Sequence, residues 1–264
     1  MLKRRNGPQN LVYYVSPLLE AIGVPHAFST RRGGASPSPF DSLNLGIARD
    51  SKIKDAPANI EENYRRLAAA IGCADRKRAW VSQVHGRDIC QIHPGNLFGN
   101  GQEADGLITT DPSRIISVKY ADCVPVLLAS ADGRYVAAIH AGWRGVLLGI
   151  VVSAVKYFAH ATKAPASNLV AAVGPCISKP AFEVGPEVVT SFEQLFNPAS
   201  KTVHTAKGHV DLKQAILHQL KSEGLDESRI DTTDLCTYHT PEEFYSHRRD
   251  GVATGRMAAL IGPK

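Results

Sequence analysis

Ten short strand-like runs, none longer than six residues, recur along the sequence at residues 11–15, 25–29, 80–84, 88–92, 106–109, 115–119, 124–129, 135–140, 169–173 and 256–260. This pattern limits the fold more than any other feature. Several runs are apolar at almost every position, as in strands buried on both faces. Turn signals such as Ala131-Asp132-Gly133 join neighbouring runs and predict antiparallel pairing. Helical spacing is clearest over residues 58–71, where Ile60, Tyr64, Leu67 and Ala68 share one side and Glu61, Glu62, Arg65 and Arg66 the other. It recurs over 146–158, 186–196 and 212–223, the last with Asp211 as N-cap and Gly224 beyond its end. Helices among hairpin-linked strands predict an α+β layered fold rather than a doubly wound parallel sheet. With no repeat, and no linker beyond the short patch Ser36-Pro37-Ser38-Pro39, one domain over residues 1–264 is expected.

Composition narrows the function classes. Of the 264 residues, 44% are hydrophobic and 21% charged, the profile of a globular protein. The longest apolar stretch, residues 146–155, is interrupted by Gly149 and Ser153 and falls well short of the roughly 20 residues that span a bilayer. No membrane partner is expected. Lys3, Arg4 and Arg5 are followed by polar residues where a signal peptide needs an apolar core, so secretion by that route is not expected. The net charge of +5 is spread along the chain without a basic run, which argues against nucleic acid and leaves small anions such as phosphate as partners. Cys73, Cys90, Cys123, Cys176 and Cys236 are odd in number and contain no CxxC pair, which favours reduced thiols in a cytoplasmic protein. Neither the dinucleotide glycine fingerprint nor a P-loop is present.

Three segments place a reactive side chain at the end of an apolar strand beside a glycine or small turn residue. They carry His85 in Ser82-Gln83-Val84-His85-Gly86, Cys123 in Ala121-Asp122-Cys123-Val124-Pro125, and His140 in Ala138-Ile139-His140-Ala141-Gly142-Trp143-Arg144-Gly145. Two imidazoles and one thiolate make a three-ligand zinc set with a fourth position left for water or substrate. Their spacings form no local metal motif, and each taken singly also reads as a satisfied buried residue.

These segments, with His26-Ala27-Phe28-Ser29-Thr30-Arg31-Arg32-Gly33-Gly34, Ser42-Leu43-Asn44-Leu45-Gly46, Ala104-Asp105-Gly106, Gly174-Pro175-Cys176-Ile177 and Phe244-Tyr245-Ser246-His247-Arg248-Arg249, occur in an order that resembles the laccase-domain family. That family is also known as polyphenol oxidase or peptidoglycan editing factor. The resemblance runs from about residue 26 to 256. It implies an α/β/β/α-type sandwich with mixed, largely antiparallel sheets, related to the catalytic domain of a deamidating bacterial toxin. It further implies metal ligation by His85, Cys123 and His140. The implied activity is that of a zinc-dependent purine nucleoside enzyme: phosphorolysis of adenosine, inosine and methylthioadenosine, and deamination of adenosine. The copper of the family's older name fits less well. A multicopper oxidase needs a blue-copper site and a separate histidine-rich cluster, and the ten histidines here contain no H-x-H pair.

Phosphorolysis requires the departing purine to be stabilised and the phosphate to be held. Arg31, in a glycine-rich turn that lets ligand approach closely, is the candidate donor to the purine edge, with Arg32 as substitute. Arg144, or Arg248 and Arg249, would capture the anion through bidentate guanidinium contacts. Asn44 and His247 complete the expected substrate-binding set. Asp122 is expected to face away from Cys123 unless a bend re-aims it to orient a ligand histidine. Cys176 reads equally as packing or as a neighbour of the metal. Competing schemes use the same residues: a cysteine hydrolase or deamidase, or an editor of peptidoglycan precursors, with Cys123 as nucleophile and His140 or His85 as base. A zinc-stabilised interaction module would instead close the site with a fourth protein ligand. A homodimer is the assembly to test for.

Overall fold

The apolar runs pair into two six-stranded sheets stacked face to face in a computed structural model that describes residues 1–47, 51–93 and 100–264. In chain order the elements begin with β1 (Lys3–Asn6), β2 (Val12–Val15), α1 (Pro17–Ala21), β3 (His26–Ser29), α2 (Pro57–Ala70), β4 (Lys77–Trp80), β5 (Ile89–Ile92), β6 (Gly106–Thr109) and β7 (Arg114–Tyr120). They continue with β8 (Val124–Ala129), β9 (Val136–Ala141), α3 (Trp143–Leu147), α4 (Ile150–Thr162), β10 (Val170–Val173), β11 (Glu183–Val184) and α5 (Pro186–Phe196). The last are β12 (Gly208–His209), α6 (Leu212–Ser222), β13 (Ile230–Asp231), α7 (His247–Asp250) and β14 (Met257–Ile261). One sheet runs β1-β2-β3-β14-β7-β4 and the other β13-β10-β8-β9-β6-β5, with β11 and β12 as a separate ribbon. Most neighbours are antiparallel; β4/β7, β5/β6 and β10/β13 are parallel.

Alternation along each central strand explains why the runs are apolar throughout. In β8, Leu127 and Ala129 face the inter-sheet core with Phe28, Val118, Tyr120 and Met257, while Val126 and Leu128 face outward onto α4, α5 and α6. In β14, Met257, Ala259 and Ile261 face inward, while Ala258 and Leu260 meet Tyr64 and Leu67 of α2. Helices therefore cover both outer faces, giving the α/β/β/α layering. The N-terminus of α6 is set by Asp211, whose carboxylate accepts the Gln214 N–H at 2.9 Å, a cap worth about 1 kcal/mol.

Local departures from the sequence expectations bear on the site. The helix expected over 146–158 is two helices, α3 and α4, because Gly149 takes a left-handed backbone (φ 75°) between them. The strand expected over 80–84 ends at Trp80. Beyond it the Gln83 amide mimics a strand partner, donating to the Lys119 carbonyl (2.7 Å) and accepting the Lys119 N–H (2.8 Å), so that the chain turns toward His85. The exposed edge strand β1, Lys3–Asn6, carries no apolar periodicity; it pairs with β2 along the backbone, and Arg4 and Arg5 add ion pairs to Glu243 and Glu20.

Candidate metal centre and its cavity

One buried carboxylate organises the centre. Asp105, at the entrance to β6, is fully buried. Its Oδ2 accepts the N–H groups of Val84 (3.1 Å) and Gly86 (2.7 Å), and its Oδ1 that of His85 (2.9 Å). These bonds support a left-handed backbone at His85 (φ 62°) that a non-glycine residue rarely adopts. The same Oδ1 faces His140 Nδ1 at 2.8 Å, and since a carboxylate only accepts, Nδ1 donates there and Nε2 is the ring nitrogen left to face the centre. Burial pushes the Asp105 carboxyl up, but the bonds from His140 and the three amides outweigh it and hold the group below its usual range.

Cys123 sits at the turn into β8, directly after Asp122, whose backbone is also left-handed (φ 95°). Asp122 secures the turn: its Oδ1 accepts the Thr237 hydroxyl and its Oδ2 the Arg248 N–H, both at 2.7 Å. His140 lies in β9, where Pro125 is its register partner and Ala141 faces Val124, so Cys123 and His140 meet at the open end of one antiparallel pair. The ligand atoms of His85, Cys123 and His140 all lie within 4.8 Å of one another, and the two imidazoles meet edge to face with centroids 4.9 Å apart. Burial opposes ionisation of Cys123 and His140, but their mutual attraction, with Asp105 behind His140, wins: the thiol is lowered and the imidazole raised. A thiolate, and an imidazole whose Nδ1 is engaged so that Nε2 would bind in exchange for its proton, are the donors a soft divalent metal takes. Gly142 provides the room, since a Cβ there would lie 2.7 Å from His85 Cδ2 and 3.2 Å from Cys123 Sγ. Donor set, spacing and clearance fit a metal ion. Among the described residues this is the only such group of His, Cys, Asp and Glu side chains, which leaves no separate histidine-rich cluster of the multicopper kind.

The three donors open onto a cavity of about 810 Å³. Trp143 and Phe182 supply aromatic surface, Val84 and Val252 an apolar lip, and Lys119, Arg144, Arg248 and Arg256 positive charge. His247 also lines it, with Nδ1 donating to the Gly251 carbonyl at 3.1 Å. Arg144 lies over the Trp143 ring (4.6 Å) and Arg248 over Phe182 (5.0 Å).

Several expected site residues are elsewhere. Arg31 and Arg32 line a separate, more open hollow. The Arg31 guanidinium bonds the Asp41 and Pro241 carbonyls and stacks on Tyr245 at 4.7 Å. Gly33 and Gly34 serve chain packing rather than ligand approach, because a Cβ on either would collide with backbone of Leu11 or Ser42. Asn44 is fully buried behind the cavity wall, where its amide bonds Asp55 Oδ2 (2.9 Å) and the N–H groups of Arg256 (2.9 Å) and Gly46 (3.2 Å). Arg249 spends its guanidinium on the carbonyls of Thr237, Tyr238 and Phe244. The carboxylate that orients a ligand histidine is Asp105, not Asp122. The sequence signal for Asp105 was an acid opening an apolar strand, and for Arg256 a guanidinium doing the same.

Cys176 belongs to packing. Its backbone pairs with that of Cys236 in an isolated parallel β-contact, both thiols being free; the side chain sits in the core under α6, and burial pushes the thiol up to about 12. Cys176→Ala is expected to leave metal content unchanged while costing about 1 kcal/mol of stability, read by metal analysis and thermal unfolding. Loss of the metal would return Cys176 to the centre.

Fold and centre together define a class: layered sandwiches with a His-Cys-His centre at one end of the sheets. Solved structures share the fold. YlmD from Geobacillus stearothermophilus matches with a TM-score of 0.85 at 30% identity, covering 99% of this chain and 98% of that one. A hypothetical protein YfiH from Bacillus licheniformis matches with a TM-score of 0.84 at 26% identity, covering 99% of both chains. The profile of the family described as multi-copper polyphenol oxidoreductase laccase matches residues 25–264, and the chain belongs to that family. Curated relatives include the purine nucleoside phosphorylase YfiH of Escherichia coli K12, 39% identical over 90% of this chain and 93% of the relative. A purine nucleoside phosphorylase of Deinococcus radiodurans is 36% identical over 93% and 92%. No helix among the described residues is long and apolar enough to cross a membrane.

Proposed function

We propose that this chain is a metal-dependent purine nucleoside phosphorylase, acting on adenosine, inosine and methylthioadenosine with inorganic phosphate, and that its metal is zinc. The observation that carries the reading is one cavity uniting three metal donors with cationic and aromatic walls. The names of the relatives supply the reaction class. Zinc held by His85, Cys123 and His140 supplies Lewis-acid stabilisation of negative charge. In the reaction a phosphate oxygen bonds C1′ while the bond from C1′ to the purine nitrogen breaks, its electron pair leaving with the base. Arg144 and Arg248, exposed at the mouth, draw the phosphate anion inward. Trp143 and Phe182 give the purine apolar faces, and His247 presents an acceptor for a ribose hydroxyl. The free thiols suit a reducing cytoplasm.

The test is incubation of zinc-loaded protein with inosine, with and without phosphate. Hypoxanthine and ribose 1-phosphate should form only when phosphate is present, and a metal chelator should stop both. No phosphate-dependent release of base would overturn the reading. Adenosine deamination, which the family resemblance implies, is read in the same assay as inosine formed from adenosine without phosphate. A second reading, a cysteine hydrolase with Cys123 as nucleophile and His140 as base, draws on the lowered thiol pKa. It requires a metal-free sulfur, so metal analysis of protein purified without chelator separates the two.

A further inference from the structure

Among the described residues four Lys and Arg side chains line the cavity, and they are not equivalent. Arg144 and Arg248 are exposed at the rim, whereas Lys119 at the end of β7 and Arg256 just before β14 are half-buried in its wall. Gly46 lies against both, since a Cβ there would collide with Lys119 Cδ and stand 3.6 Å from Arg256 Cβ.

Arg256 is fixed from behind. Its N–H donates to Asn44 Oδ1 at 2.9 Å, and that same oxygen accepts the Gly46 N–H at 3.2 Å. Asn44 is anchored in turn on the buried Asp55. The guanidinium is held at one corner only: Nη1 donates to the carbonyls of Thr254 and Gly255, both at 2.9 Å. Among the described residues Nε and Nη2 have no hydrogen-bond partner, yet neither is a buried orphan, so this edge of the fork is open to the cavity. Asp122, the nearby carboxylate, spends its two oxygens on Thr237 and Arg248. Arg256 lines the same cavity as His85, Cys123 and His140, so its guanidinium stands in the wall that also carries the metal donors.

We infer that the Nε/Nη2 edge of Arg256 is the seat of the phosphate ion, and that Asn44 is its positioning residue. The phosphorylase reading names the anion; the geometry itself calls for a compact tetrahedral oxyanion, which a planar fork binds in a bidentate way. The rim arginines then serve capture, and the seat holds the nucleophile next to the centre.

The experiment titrates inorganic phosphate into zinc-loaded full-length protein by calorimetry and measures KM for phosphate and for inosine separately. Arg256→Gln should weaken phosphate binding and raise its KM by about tenfold or more, with KM for inosine little changed and zinc content equal to wild type. Arg256→Lys, which keeps the charge without the fork, should fall between. If Arg256→Gln does not fold, a several-fold loss in Arg256→Lys carries the test. Wild-type affinity for phosphate in Arg256→Gln, or no phosphate binding by wild type at millimolar concentration, overturns the seat. Arg256-dependent phosphate binding without inosine cleavage would sink the phosphorylase reading alone. Phosphate-dependent cleavage with an unchanged phosphate KM in Arg256→Gln would sink the seat alone.

Discussion

Asp105→Ala is expected to strip the metal and to lower stability by about 3 kcal/mol or more, since it leaves four donors around a buried site without a partner. Removing a carboxylate behind a ligand histidine typically costs 10- to 100-fold in metal affinity. Here the loss should reach the upper end of that range, because the same group holds the backbone of His85 in a left-handed turn and the ring of His140 in one tautomer. For a chain of this size each kcal/mol moves the melting temperature by roughly 2–4 °C. Metal content after dialysis and differential scanning calorimetry measure the two effects, and a variant with wild-type values in both would remove Asp105 from the centre. The pH dependence has a definite sign. The native carboxyl is held below its unfolded value, so its contribution is present above about pH 4 and is lost as the pH falls through the native value. The difference between wild type and Asp105→Ala should therefore shrink in acid.

Cys123→Ala is expected to abolish nucleoside turnover and metal binding while leaving the secondary structure intact. The residue stands at a turn whose geometry is set by Asp122, Thr237 and Arg248 rather than by the sulfur. Deleting the sulfur costs little packing, about 1 kcal/mol, but removes the only anionic donor of the three. Turnover, metal analysis and far-UV circular dichroism of the variant provide the check. Retained turnover would exclude the metal-dependent scheme. The lowered thiol pKa adds a second observable: stripped wild-type protein should be alkylated first at Cys123, and metal should protect it, whereas Cys176, with its thiol raised, should stay inert.

Much of the fold was legible because its strands are buried on both faces. Residues 124–129 and 136–140 are apolar at nearly every position, since alternate side chains feed two different cores. The β1 edge was not legible: its residues are exposed and polar, and the backbone pairing and the ion pairs of Arg4 and Arg5 that hold it reach residues far along the chain. Within the site, the convergence of His85, Cys123 and His140 was readable from reactive residues at strand ends together with the family resemblance. Asp105 was not, because its function lies in the convergence of four donors from two separate segments, residues 84–86 and His140, which no spacing encodes. Arg31 misled for a physical reason. Glycines beside an arginine admit close approach of a ligand or of the chain itself, and here Leu11 and Ser42 take that space. Asn44 was a reasonable candidate acting one step removed, through the backbone of Arg256.

The three donors and Asp105 all lie between residues 85 and 140, whereas Arg256 arrives with the strand that inserts last into the middle of the first sheet. The turn that carries Cys123 is nevertheless secured by Thr237 and Arg248, so the donor cluster, like the Arg256 wall, is completed only by the C-terminal segments. One end of the molecule thus depends on both halves of the sequence: the early half brings the donors, and the late half fixes where they stand.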